Sequence, residues 1–368
     1  MPGNRQDYLY NNMMKRLVYT QLVLTLFLIS PLYGQDAESD KSSAAVDTIF
    51  NDFGLFTSDK VLNISLRFDV TEYMRNKSRE DYLDATLTYH INEKDSINKE
   101  LKLRSRGISR LSICNFPPIS LNFKKGDLKT DLQKKIEKIK LVTHCNKGNE
   151  EYLFREFIVY KLYNALTDYS FRVRLVKINY INTARKNKVI DTYAFLIEPL
   201  NMLTERTNSY EVENMKLSQK FIDPEIMDRV SLFSFMIGNT DWSVPGQHNV
   251  RIISMYNEDN SGKGGLVPYD FDYSGLVNTH YALPSEFLGL KSVRERFYLG
   301  ACRTDEEYKE RLQQFTDKKA EFYRIINEFE YLTEKDKKQM TGYLDEFYSY
   351  LEKDILIRII RRDCRGDL

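Results

Sequence analysis

The chain has 368 residues, enough to bury a substantial core in one large two-lobed domain or two smaller ones. Its 54 basic and 53 acidic side chains leave a formal charge of +1, so net charge implies no polyanion-binding surface, and nucleic acid is not an expected partner. A content of 42% hydrophobic and 29% charged residues is a globular rather than a disordered balance, and 25 tyrosines with 21 phenylalanines predict a core closed largely by aromatic rings.

In chain order, Lys15-Arg16 precede a mostly apolar run from Leu17 to Pro31, and polarity returns abruptly at Gln35-Asp36 after Gly34. Basic, apolar, then small is the order of a secretory signal, predicted over residues 1–34, and the run is too short and interrupted to span a bilayer comfortably. Because Met13-Met14 directly precede the basic pair, residues 1–12 have an alternative reading as an upstream start-site artefact; an uncleaved signal anchor is another alternative. Neither puts the protein in the cytoplasm: the expectation is an exported protein, periplasmic or extracellular, and a cleaved signal leaves no stable membrane span. No cysteine follows the run as a lipid anchor would require. Residues 35–48 are small and acidic without periodicity and read as a flexible leader.

An α+β chain follows, with a β-rich part over residues 49–200 and a helical part over 201–368. Residues 62–68, 85–91 and 101–106 alternate apolar and polar side chains as half-buried strands do, and 119–123 follows the helix-incompatible Pro117-Pro118. One more strand at 139–143 leads to a helix over 149–166, then strands at 173–181 and 189–197 joined by the basic turn 184–188. The expected arrangement is an antiparallel, meander-like sheet with one main helix. Beyond it, Asp223-Pro224 reads as an N-cap with proline just inside, opening an apolar helix that runs into Gly238, and residues 304–357 read as two or three surface-packed helices.

Cys114, Cys145, Cys302 and Cys364 all lie downstream of the signal. In an oxidising compartment an even count permits two disulfides, and Cys114 with Cys145 is the first choice, leaving Cys302 with Cys364. Buried free thiols are the alternative. Zinc is disfavoured, since no CxxC pair exists and histidines number four.

The chemistry gathers around the Gly238 helix end. Asp241 follows Gly238-Asn239-Thr240, and Asn249 comes eight residues later, ahead of a strand at 251–253. A glycine-rich hairpin at 261–265 and a second strand, Leu266 to Tyr269, then deliver Asp270 and Asp272. Each residue alone could be a turn or capping group, or a calcium-binding carboxylate. Together they form an ordered set of hard oxygen donors at strand ends.

Gly238-Asn239-Thr240-Asp241-Trp242 and Pro268-Tyr269-Asp270-Phe271-Asp272 resemble the catalytic and metal-binding segments of spore-coat CotH-type atypical kinases. HipA-like kinases have a similar Gly-Asn-Thr-Asp start, and aminoglycoside phosphotransferase-like kinases a similar Asp-Phe-Asp segment. Leu103 to Arg110 resembles the Arg-Gly-rich strand and turn of CotH-type proteins, and Tyr193 to Glu198 the strand before their lobe crossover, so the likeness covers residues 60–300.

That resemblance implies a two-lobed protein-kinase-like fold using ATP with Mg2+ or Mn2+. It gives Asp241 the catalytic role, Asn249 and Asp270 the metal, and Asp272 a metal or supporting place. It further implies a strand lysine held by a helix glutamate on the nucleotide phosphates; Lys140 and Glu156, 16 residues apart, fit, with Glu151 as the alternative partner. Arg104, Arg106 and Arg110 are further phosphate candidates, Gly107 allowing close backbone approach. Two departures stand out. Asp241 and Asn249 are eight residues apart, where the common kinase loop has about five, and Ser243 stands where such loops usually carry His. His248 reads as a loop histidine or a substrate contact, Trp242 as packing for the loop, and a nucleophile or metal role for His144 is disfavoured. The expected function is an exported phosphotransferase acting on a hydroxyl of a protein or small molecule. The alternatives are an inactive kinase-like scaffold for envelope ligands and a calcium-stabilised structural protein.

Overall fold

A computed structural model describes residues 55–77, 81–90, 94, 96–123, 138–212, 217–255, 263–353 and 355–364. All fall within one compact unit, 44–368. The signal, the leader and Ser261-Gly262 of the glycine-rich hairpin lie outside the described residues.

Seven strands, β1 (Leu62–Phe68), β2 (Leu83–His90), β3 (Ser96–Ser105), β4 (Ile119–Phe123), β5 (Lys138–Val142), β6 (Val173–Asn182) and β7 (Lys188–Ile197), form one sheet. The alternation read in the sequence places Leu66, Leu101, Leu103, Ile119, Leu121, Leu141, Ile178 and Leu196 in a shared core. The antiparallel meander expected holds from β1 to β5, but the sheet then closes on itself. Its order is β1-β2-β3-β4-β5-β7-β6, and β6 closes a barrel by pairing in parallel with β1, Leu62 opposite Val176 through Phe68 opposite Asn182. Closure leaves neither β1 nor β6 with an open edge. Two short helices, α1 (Val70–Arg75) and α2 (Ser109–Ile113), interrupt the strands and were not visible in the periodicity.

The helix α3 (Glu150–Leu166) buries Leu153, Phe154, Phe157, Ile158, Tyr160, Leu162 and Tyr163 around most of its circumference. A helix buried on that many sides must be covered by more than one layer. Its core continues from barrel residues Leu175 and Phe195 to Phe315 and Phe322 of the C-terminal helices.

After α4 (Leu200–Arg206) and β8 (Ser209–Glu211), helix α5 (Pro224–Ile237) begins where the Asp223 carboxylate accepts from the N–H groups of Glu225 and Ile226, with Pro224 at the first turn. It ends at Gly238, whose φ of +67° is left-handed. A Cβ there would collide with the Tyr343 hydroxyl, so only glycine serves. Strands β9 (Val250–Met255) and β10 (Gly264–Pro268) pair antiparallel and join β8 in a small sheet. Residues 304–357 contain α6 (Asp305–Asn327) and α7 (Glu334–Glu352) and the start of α8 (Leu356–Asp363). No described helix is long and apolar enough to cross a membrane.

Both disulfides form, Cys114 with Cys145 and Cys302 with Cys364, and no described cysteine is free.

Candidate functional site

The β9–β10 register assembles one end of the site. Val250 stands opposite Pro268, and one residue further out the Tyr269 N–H donates to the Asn249 carbonyl at 2.9 Å. Asn249 and Asp270 therefore leave the same end of one hairpin. Both have left-handed backbones, φ +51° and +63°, a conformation that Asn and Asp adopt more readily than most residues. The Asp270 N–H donates to the Tyr160 hydroxyl of α3 at 2.8 Å, which ties the hairpin end to that helix.

Asp241 reaches the same place despite its eight-residue distance from Asn249. Ser243 and His248 exchange backbone hydrogen bonds of 3.0 Å each, folding the intervening residues into a small hairpin of their own. The surplus length is looped out, and Asn249 Nδ2 donates to Asp241 Oδ2 at 2.9 Å and to its carbonyl at 2.8 Å. His248 Nε2 lies 2.8 Å from Asp241 Oδ1. Ser243 does not supply an imidazole, but His248, at the other end of the hairpin, does. The Asp241 carboxylate is 37% exposed, so one face stays open to a reactant.

Beneath this rim lies a buried ion cluster that the sequence did not reveal. The Arg110 guanidinium, carried by α2, donates from Nη2 to Glu156 Oε2 at 2.7 Å, from Nε to Asp272 Oδ2 at 2.8 Å and from Nη2 to Asp270 Oδ1 at 3.2 Å. Arg110, Glu156 and Asp272 are buried, while the Asp270 side chain is 34% exposed. The three acids could themselves hold a metal ion, their ligand atoms lying within 4.8 Å of one another, but the guanidinium already serves them. Tyr281 also donates to Asp272 Oδ2, at 3.1 Å.

Electrostatics follow from that packing. Burial pushes the Glu156 carboxyl up to about 8, against the lowering pull of Arg110. Burial also raises Asp272. At Asp270 burial acts upward too, but Arg110, Arg106, Lys140 and His248 outweigh it and hold the carboxyl below its usual range. Asp270 is the acid in the cluster best disposed to stay ionised.

Lys140 is not the partner of Glu156, which corrects the ion pair expected from their spacing. Its Nζ stands 4.4 Å from the centre of the Tyr269 ring, with Arg251 Cζ at 5.2 Å from the same ring. Burial lowers the amine to about 7, aided by the Arg106 and Arg251 charges. The lysine points into a cleft of about 720 Å³ that also takes in Arg104, Arg106, Lys138, Glu211 and Arg251. Arg104 and Arg106 thus face the cleft beside Lys140. Arg110 does not line it and belongs instead to the carboxylate cluster. Arg251 and Lys138 were missed in the sequence. Their signal was present, since each is a basic residue on a strand flanking the site, but such residues are common on solvated faces.

As for metal ligands, Asp270 offers an ionised, partly exposed carboxylate, and Asn249 an amide oxygen, its nitrogen being engaged by Asp241. This hard oxygen set suits Mg2+ or Mn2+. Asp272 is turned inward to Arg110 and Tyr281, which fits a supporting place better than a ligand's. Trp242 is buried, as packing for the loop requires.

No family model matches the chain, and no curated protein does. Among solved structures the chain is similar to the Helicobacter pylori proinflammatory kinase CtkA, at 14% identity over 68% of this chain and 93% of that one, with a TM-score of 0.36. A likeness that distant says nothing of activity, so the chemistry of the site rests on its own side chains.

Proposed function

We propose that the protein is an exported, kinase-like phosphotransferase of the CotH-type kind, using ATP and Mg2+ or Mn2+ to phosphorylate a hydroxyl of a protein or small molecule. The observation that carries this reading is the convergence of Asp241, Asn249 and Asp270 at one hairpin end beside a cleft lined with Arg104, Arg106, Lys138, Lys140 and Arg251. Clustered cations neutralise a polyphosphate, and an open carboxylate beside them orients an acceptor hydroxyl and takes up its proton. His248 and Asn249 fix the two oxygens of Asp241, so the carboxylate is oriented before the acceptor arrives. Asp270 and Asn249 would hold the metal, which when bound neutralises phosphate charge. The two disulfides fit export to an oxidising compartment.

A second reading, a scaffold that binds an anionic envelope ligand without turnover, draws support from the Arg110 cluster. Arg110 already satisfies Asp272 and engages Asp270, so part of the carboxylate set is committed without a metal. Calorimetry separates the two readings. The phosphotransferase predicts ATP binding that depends on Mn2+ and weakens in Asp270→Asn, whereas absence of binding at millimolar ATP would favour the scaffold.

A further inference from the structure

The Arg110 cluster raises the question of what holds its cation in place. The helix α2 that carries Arg110 has five residues, far below the length at which a helix is stable alone. It follows Gly107 at φ +90°, its N-cap Ile108 makes no side-chain capping bond, and Ile108 is 91% exposed. Its other end is different. The C-cap is Cys114, fully buried and bonded to Cys145. Cys145 sits at φ +62°, a left-handed backbone that a cysteine adopts only where its surroundings enforce it. From there the chain runs through Asn149 into α3, which carries Glu156.

We infer that the Cys114–Cys145 disulfide is the positioning device for Arg110, holding its guanidinium among Glu156, Asp270 and Asp272. The covalent bond and the ion pair are nested. Arg110 precedes Cys114 by four residues, and Glu156 follows Cys145 by eleven. Without the bond, 46 residues separate the ion partners; with it, the connecting path is roughly 16. Two hydrogen bonds run alongside the bond, the Phe116 N–H to the Cys145 carbonyl at 2.9 Å and the Asn115 N–H to the Asn146 side-chain Oδ1 at 2.9 Å, and both depend on the same two segments staying together. The consequence for phosphate transfer rests on the function proposed above; the placement of Arg110 does not.

The second disulfide provides the control. Cys302–Cys364 closes 62 residues against 31, so chain entropy makes it at least as stabilising, yet it touches no member of the cluster. The test is the exchange rate of the Arg110 Nε proton in 15N spectra, its signal assigned with Arg110→Lys. We expect a protected signal in the wild type and in C302S/C364S, even where the latter melts lower. In C114S/C145S we expect that protection to be lost. Equal protection in the two disulfide variants, or protection that merely follows melting temperature in both, overturns the inference. Should C114S/C145S not fold, a glycine inserted between Ile113 and Cys114 keeps the bond while slackening the tether. Faster exchange there supports the inference, and unchanged exchange contradicts it. No nucleotide enters the readout, so failure of the phosphotransferase reading appears separately, as absent ATP binding.

Discussion

Arg110 Nη2 stands 2.7 Å from Glu156 Oε2, and both groups are buried. The helix glutamate of this site is therefore held by an arginine on a separate short helix, and the strand lysine Lys140 is left to the cleft. Three acids share that one guanidinium, which makes Arg110 the most consequential buried charge in the site.

Removing it should be costly. Arg110→Met leaves Glu156, Asp270 and Asp272 within 4.8 Å of one another without their cation, and breaking a buried pair in this way costs about 3–5 kcal/mol. Urea unfolding should show that loss. Adding Asp270→Asn to Arg110→Met should recover part of it, because the acid best disposed to stay ionised is then neutral. A loss below about 1 kcal/mol would mean that the cluster is hydrated and weak.

Lys140 carries a pH signature. Burial, then Arg106 and Arg251, lower it to about 7 from an ordinary value near 10.5. The unfolded chain keeps the proton up to about 10.5, so between 7 and 10.5 it binds more protons than the folded chain. The cost of burying the amine is therefore fully present below about 7 and is relieved as pH rises towards 10.5. Lys140→Met should stabilise the protein at pH 6 and lose that advantage by pH 10. Amine acetylation followed by mass spectrometry should find Lys140 half-reactive near pH 7, well below the surface lysines. Reactivity that rises only near pH 10 would contradict the placement.

Gly238 joins the buried helix α5 to the loop that carries Asp241. Gly238→Ala puts a Cβ on a left-handed residue, at a cost of about 1–2 kcal/mol, and drives it against the Tyr343 hydroxyl. Urea unfolding of Gly238→Ala/Tyr343→Phe should recover only the steric part. Complete recovery would show that the backbone conformation at Gly238 is not itself costly.

Most of the local structure was legible because each signal is local. Period-two alternation gave β1 at its observed bounds, and the Asp223-Pro224 cap with Gly238 framed α5. The parallel β1–β6 closure was not legible, because pairing two strands a hundred residues apart leaves no mark on either. Asp241, Asn249 and Asp270 were singled out by order and chemistry, and the structure brings Asn249 onto Asp241 because the Ser243–His248 hairpin absorbs the extra length. The error at Glu156 is instructive. Lys140 and Arg110 were both basic candidates within reach, and spacing favoured the lysine. Only the three-dimensional position of a five-residue helix with no periodic signature decides for the arginine.

The proposed phosphate-transfer site requires Asp241, Asn249 and Asp270 to act together. Incubating purified protein with γ-labelled ATP and Mn2+, with and without candidate acceptors, tests it most directly. A phosphotransferase should show label transfer, autophosphorylation or hydrolysis in the wild type, reduced at least about a hundredfold in both Asp241→Ala and Asp270→Ala while each variant stays folded. Equal signal from the wild type and the two variants would contradict it.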